Sequence, residues 1–197
     1  MANLCTNSIA LIGKPENLNH LVDIIKQVAN TQEYVTPEAI QEFLGFTKEG
    51  WGRSYDNALG KGLSGVNTER INDGVLFLDC TTAWGAIDEY WAELCLWLNL
   101  KGFASFSETG DDLWTTNDPE GIWFPEKYLY DDYGELEAIA DYEYFNCEED
   151  VATHLNKASG ENKTFDEWVE YLEDNECYGI IKTIEKGGSQ VYPYKAA

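Results

Sequence analysis

The apolar positions of this chain change period along its length. In "CTNSIALIG", Ile9, Leu11 and Ile12 lead to Gly13, which reads as a first strand. Lys14, Pro15 and Glu16 then open a helix, with proline near its first position. Leu18, Leu21, Val22, Ile25, Val28 and Ala29 recur at helical spacing, so one face stays apolar to about residue 29. "TPEAIQEFLG" predicts a short helix capped by Thr36, begun by Pro37 and stopped by Gly45. "WGRSY" is a short strand candidate, and "GVLFLDCTTAW" a mostly buried one. Over 86–100, Ile87, Tyr90, Trp91, Leu94, Trp97 and Leu98 share one stripe, with Asp88, Glu89 and Glu93 off it, which predicts a helix. "FASFSET" is the next strand. The order is β-α-(short α)-β-β-α-β, a split βαβ arrangement.

Beyond residue 111 the period drops to two. Leu136, Ala138, Ala140, Tyr142 and Tyr144 would point inward, and Glu135, Glu137, Asp141 and Glu143 outward. That predicts a half-buried strand with an acidic outer face. "NCEE" then matches a capping box, Asn146 with Glu149. "TFDE" matches a second, Thr164 with Glu167. A hairpin about Gly187 and Gly188 closes the pattern.

Composition narrows the class. With 44% apolar residues and seven Trp, the chain can build a core despite a net charge of -23. Five cysteines at irregular spacings, without a CxxC pair, are expected to be reduced structural thiols in a cytoplasm. The start lacks the basic n-region of a signal peptide, and no apolar run reaches the length of a membrane span. The charge is uneven. Residues 81–150 hold 18 acids against two bases, a net of -16; residues 1–80 are at -4 and residues 151–197 at -3. Such a segment repels nucleic acid and anionic membrane, and attracts basic proteins or cations.

The first half carries motifs. "MANLCTNSI", "GWGRSYD", "LDCTTAWGAI" and "SETG" resemble the YubB-like proteins, a family of small phage and conjugative-plasmid proteins with a ferredoxin-like domain. Asn3, Cys5, Asn7, Trp51, Gly52, Asp56, Thr82, Ala83, Trp84, Glu108 and Gly110 match the family pattern. Leu4 stands where the family has Trp, and Ser54 and Tyr55 where it has Lys and Trp. The resemblance implies a mobile-element origin and a fold, but no reaction. The expected fold is α+β: a ferredoxin-like split βαβ sheet with helices on one face over 1–115. Over 116–197, an acidic strand region, two helices and the hairpin pack on the same core.

Candidate chemistry is sparse. "GKGLSG" is a literal GxGxxG, but no strand leads into it and no helix follows, so it reads as a turn rather than a dinucleotide site. His20 and His154 are the only histidines, and neither has a metal-ligand neighbour at helical spacing. With 36 acids, pairs of carboxylates carry little information, and no basic cluster is available to clamp a phosphate. By spacing, Trp84, Trp91, Trp97 and Trp168 read as core. Trp114 and Trp123 lie among Asp, Asn, Pro and Gly, and are candidate anchors.

The expectation is a non-enzymatic acidic protein, without cofactor or metal, in the cytoplasm of a bacterial host. It would bind a basic protein surface, that of a host nucleic-acid-binding (defence) protein, by nucleic-acid mimicry or steric blocking, with no direct nucleic acid or membrane partner. Sixteen excess charges equal the phosphates on roughly 27 Å of duplex axis. The expected partner-binding residues are Asp111, Asp112, Trp114, Asp118, Trp123, Asp131, Asp132, Glu135, Glu137, Asp141 and Glu143. The alternatives are a metal-dependent carboxylate hydrolase and a structural or regulatory module.

Overall fold

Strand β1 (Leu4–Ile12) has two unlike faces, and a computed structural model places it inside a sheet: Cys5, Asn7, Ile9 and Leu11 are buried, whereas Leu4 and Thr6 are exposed. The structure describes residues 4–45, 59–60, 62–83, 87–108, 113–132, 142–175 and 179–186. The chain divides into two units, residues 1–119 with 186–197, and residues 120–185. Its class is α+β, with antiparallel sheets and, among the described residues, five α-helices.

In the first unit, β1 is followed by α1 (Pro15–Thr31), α2 (Pro37–Leu44), β2 (Val66–Asn67), a 3-10 turn at Ile71–Asp73, β3 (Val75–Ala83), α3 (Asp88–Leu98), β4 (Lys101–Glu108) and β5 (Leu113–Thr116). The sheet order is β2-β3-β1-β4-β5-β9, with β9 (Glu185–Lys186) at the edge. The pairings of β1 with β3 and β4, of β2 with β3 and of β4 with β5 are antiparallel. Side chains from α1, α2 and α3 join the inward face of β1, β3 and β4 in one buried cluster.

The helix limits follow local chemistry. Pro15 begins α1, as expected. The Thr36 hydroxyl accepts from the Ala39 N–H at 3.2 Å, and Gly45 closes α2 at φ 75°. The buried stripe of α3 runs through Tyr90, Trp91, Leu94, Cys95 and Leu98. It therefore misses Trp97, which is 53% exposed and not the core residue its spacing suggested.

The strand expected at "WGRSY" lies outside the described residues, and β2 forms later, at Val66–Asn67. The loop before it explains its glycines. A Cβ on Gly65 would run into the carbonyls of Leu59 and Asp79, because the Gly65 carbonyl accepts from the Asp79 N–H at 2.8 Å. Close backbone packing onto β3 demands glycine there.

The second unit holds β6 (Tyr128–Asp132), β7 (Tyr142–Phe145), α4 (Glu148–Ser159), α5 (Phe165–Asp174) and β8 (Gly179–Thr183), with β6 central in an antiparallel sheet ordered β7-β6-β8. Its core is Tyr130, Phe145, Val151, Leu155, Trp168 and Leu172.

The expected box at Thr164 is present: its hydroxyl accepts from the Glu167 N–H, and Glu167 accepts from the Thr164 N–H at 2.7 Å. The one at Asn146 is not. The Phe145 carbonyl accepts from the Lys127 N–H at 2.8 Å, holding the chain in strand pairing, so Cys147 becomes the N-cap of α4 without a side-chain cap. The alternation also needs correction: in β7, Phe145 is buried while Tyr144 is 46% exposed. The hairpin expected about Gly187 and Gly188 lies outside the described residues; β8, before it, pairs with β6. Among the described residues, no helix is long and apolar enough to cross a membrane.

Candidate interaction surface

The residues expected to bind a partner fall into three groups. Asp111, Asp112, Glu135, Glu137 and Asp141 lie outside the described residues. Trp114 and Asp118 are buried, at 5% and 1% exposure. Side-chain bonds reinforce the sheet ladder here, which the Asn117 N–H extends by donating to the Ala104 carbonyl at 3.1 Å. Ala104 of β4 donates its N–H to the Asn117 carboxamide oxygen at 2.6 Å, and its carbonyl accepts from the Thr116 hydroxyl at 2.8 Å. The Asp118 N–H then closes on the Thr116 hydroxyl at 3.1 Å. A polar "TTND" run thus fastens to β4 instead of forming an open acidic loop.

The third group belongs to the second unit. Trp123 and Glu143 are half-buried, and Asp132 ends β6. Asp131 is only 9% exposed, and its carboxylate lies 3.6 Å from the Lys182 ammonium on β8. Asp131 faces Ile180 and Leu129 faces Lys182, so the ion pair is a diagonal cross-strand contact. Asp131 therefore serves the sheet.

Among the described residues of the second unit, α4 and α5 each carry a run of exposed acids. The second unit holds 19 Asp and Glu against four Lys, a net charge of -15 in residues 120–185. On α4, Glu148, Glu149 and Asp150 occupy the first turn and Lys157 the last. That placement matches the helix dipole. The Tyr128 hydroxyl donates to Glu148 at 2.9 Å, and this bond, more than its slight burial, raises the tyrosine pKa.

Helix α5 is arranged differently. Asp166, Glu167, Glu170, Glu173 and Asp174 are all exposed, and its last turn has no basic residue. Asp166 and Glu170, Glu170 and Asp174, Glu167 and Glu170, and Glu170 and Glu173 stand three or four residues apart. Like charges at these spacings cost a few tenths of a kcal/mol each. Acids at a helix C-terminus also oppose the dipole. Only Glu167 is held locally: hydrogen bonds from the Thr164 backbone and then its hydroxyl lower its pKa. The other face of α5 is pinned by Trp168, whose indole N–H donates to Asn156 at 2.9 Å, with Lys163 over the Trp168 and Tyr171 rings at 4.7 and 4.6 Å. The charged face therefore rides on a rigid base. On sequence alone, Glu167, Glu170 and Glu173 are the second choice for the working face, after the acids over 81–150.

The motif residues of the first half also meet. Cys5 lies opposite Thr82 and Glu108, and the Asn7 amide donates to the Thr82 hydroxyl at 2.8 Å and the Cys5 carbonyl at 3.0 Å. Cys5, Asn7, Thr82 and Glu108 are each 1% exposed or less. Nearby chemistry is held in its protonated form. Burial, then Cys80 and Glu38, raise the Tyr90 hydroxyl well above its ordinary value, and burial pushes the Cys95 thiol up to about 12. Such groups make poor nucleophiles at neutral pH. Among the described residues, no group of three or more His, Cys, Asp or Glu is placed to hold a metal ion. Comparison with known proteins finds no matching family model, no matching curated protein and no matching solved structure.

Proposed function

We propose that this is a non-enzymatic interaction protein whose second unit presents α5 to a basic, nucleic-acid-binding protein surface. The observation that carries the proposal is the acidic C-terminal half of α5, where Glu170, Glu173 and Asp174 gather at a helix end without a cation and Glu170 repels the other two. Its repulsions weaken the helix, so folding does not account for it. A partner's Arg and Lys would relieve them, with charge-assisted hydrogen bonds to the carboxylates. The carboxylates lie about 6 Å apart along the axis at four-residue steps. A rigid row of anions at that spacing suits a surface built for phosphates, which is the sense in which the protein would mimic nucleic acid.

A finer fold reading accompanies this. We take the first unit as ferredoxin-like, supported by the antiparallel order β2-β3-β1-β4 with helices after β1 and β3. The YubB-like resemblance is consistent with it, since Cys5, Asn7, Thr82 and Glu108 come from three separated segments and share one buried cluster. On the same resemblance, the partner would be a host protein of a mobile element, such as a defence nuclease. The test is competition. A basic protein captured on this chain should lose a labelled DNA duplex as the chain is added, at one chain per site. A captured protein that keeps its DNA while bound would contradict the proposal.

A further inference from the structure

A groove of about 640 Å³ follows α1 in the first unit. Its length comes from one helix face: Lys14, Asn17, His20, Ile24 and Gln27 line it at spacings of three and four residues. From Lys14 to Gln27 the axis advances about 20 Å. The C-terminal ends of α2 and α3 form the sides, supplying Phe43, Trp97 and Asn99 among others. Such a volume suits a small organic ligand.

Three features describe what would fit. The first is charge. Among the described residues, none that lines it is acidic, in a chain with 36 Asp and Glu, and Lys14 and His20 border the space. A neighbouring groove of about 370 Å³ along α2 shows the contrast, since Glu33, Glu38 and Glu42 line it. The second is aromatic surface. Trp97 and Phe43, 53% and 48% exposed, both line the groove. The third is polar capacity. The side chains of Lys14, Asn17, His20 and Gln27 make no hydrogen bond or ion pair with the described residues. The Asn99 carboxamide oxygen is shielded from solvent and accepts no hydrogen bond. Asn99 itself ends α3 as its left-handed C-cap, at φ 52°.

We propose that this groove is a nucleotide-binding site. The base stacks on Trp97, as bases do on exposed aromatic rings. The phosphate lies at Lys14, where the N-terminus of the 17-residue α1 adds favourable dipole and N–H groups. Glu16, the acid of that turn, is exposed and does not line the groove. The site is independent of the acidic face on α5.

The probes are the four ribonucleoside monophosphates, adenosine and inorganic phosphate, titrated calorimetrically into the full chain. At least one monophosphate is expected to saturate at one per chain with a Kd below about 1 mM, at least tenfold tighter than adenosine or phosphate alone. Trp97→Ala and Lys14→Gln should each weaken it about tenfold while the chain stays folded by circular dichroism. Trp97→Phe should restore most of the affinity, and Lys14→Gln should leave adenosine binding as it was. Neutralising Glu170 and Glu173 should change nothing. The proposal is overturned if no monophosphate saturates, if phosphate alone binds as tightly, or if both variants bind like the wild type.

Discussion

The two units solve opposite problems. The first gathers its inward strand faces and three helices into a broad buried cluster, and it spreads a net charge of -8 over 131 residues. The second builds around six buried side chains and carries -15 on 66 residues. Self-repulsion of that density destabilises a compact state, and a small core has least to set against it. Charge placed for stability would sit on the larger unit. The same contrast recurs within the second unit, where α4 carries acids at its N-terminus and a lysine at its C-terminus, and α5 carries acids at both ends.

The largest expected effect tests the inequality of the cores. Trp168→Ala removes one of the six side chains, its bond to Asn156 and the ring beneath Lys163. It should cost about 3–5 kcal/mol. Hydrogen exchange should lose protection in α4, α5 and β6 while β1 and β3 keep theirs; simultaneous loss across the chain would erase the distinction between units.

Asn7→Ala is the matching change in the first unit. It strips the Thr82 hydroxyl and Cys5 carbonyl of a buried donor, and should cost about 1–3 kcal/mol, read as earlier exchange in β1 and β3. A change confined to the second unit would break the pairing.

A smaller effect separates the two helices. Thr164→Ala should cost about 1 kcal/mol in chemical denaturation, and Asn146→Ala close to nothing, because only Thr164 caps its helix. The Thr164 box is pH-dependent. Glu167 has a folded pKa lowered below its ordinary 4.5, so the contribution is complete above that value and disappears as pH falls through the lowered one. Equal effects at Thr164 and Asn146 would contradict the assigned caps.

Much of this was legible from the amino acids. Thr36, Pro37 and Gly45 bounded α2 because cap and stop chemistry is local. The stripe of α1 and the run of β3 followed from period alone. What stayed hidden was long-range. Asn117 and Thr116 look like loop residues until Ala104 takes their hydrogen bonds. Asp131 looks like solvated charge until β8 brings Lys182 beside it. Trp97 and Trp114 exchange roles because exposure depends on which neighbour covers each ring. The acids of α5 were visible, yet their mutual repulsion emerges only once the helix sets their spacing.

The smallest change in stability should accompany the greatest change in function. Glu170→Lys, Glu173→Lys and Asp174→Lys together should leave melting unchanged or raise it slightly, since they relieve like-charge contacts and add cations at the C-terminus of α5. The decisive measurement is quantitative capture from a bacterial lysate by the wild type and this variant, at about 50 and about 500 mM salt. Screening shortens from more than 10 Å to a few Å between these conditions. The wild type is expected to retain basic nucleic-acid-binding proteins at low salt and release them at high salt, and the variant to retain none. Equal retention by the variant, or capture indifferent to salt, would contradict an acidic face on α5 as the working surface of this protein.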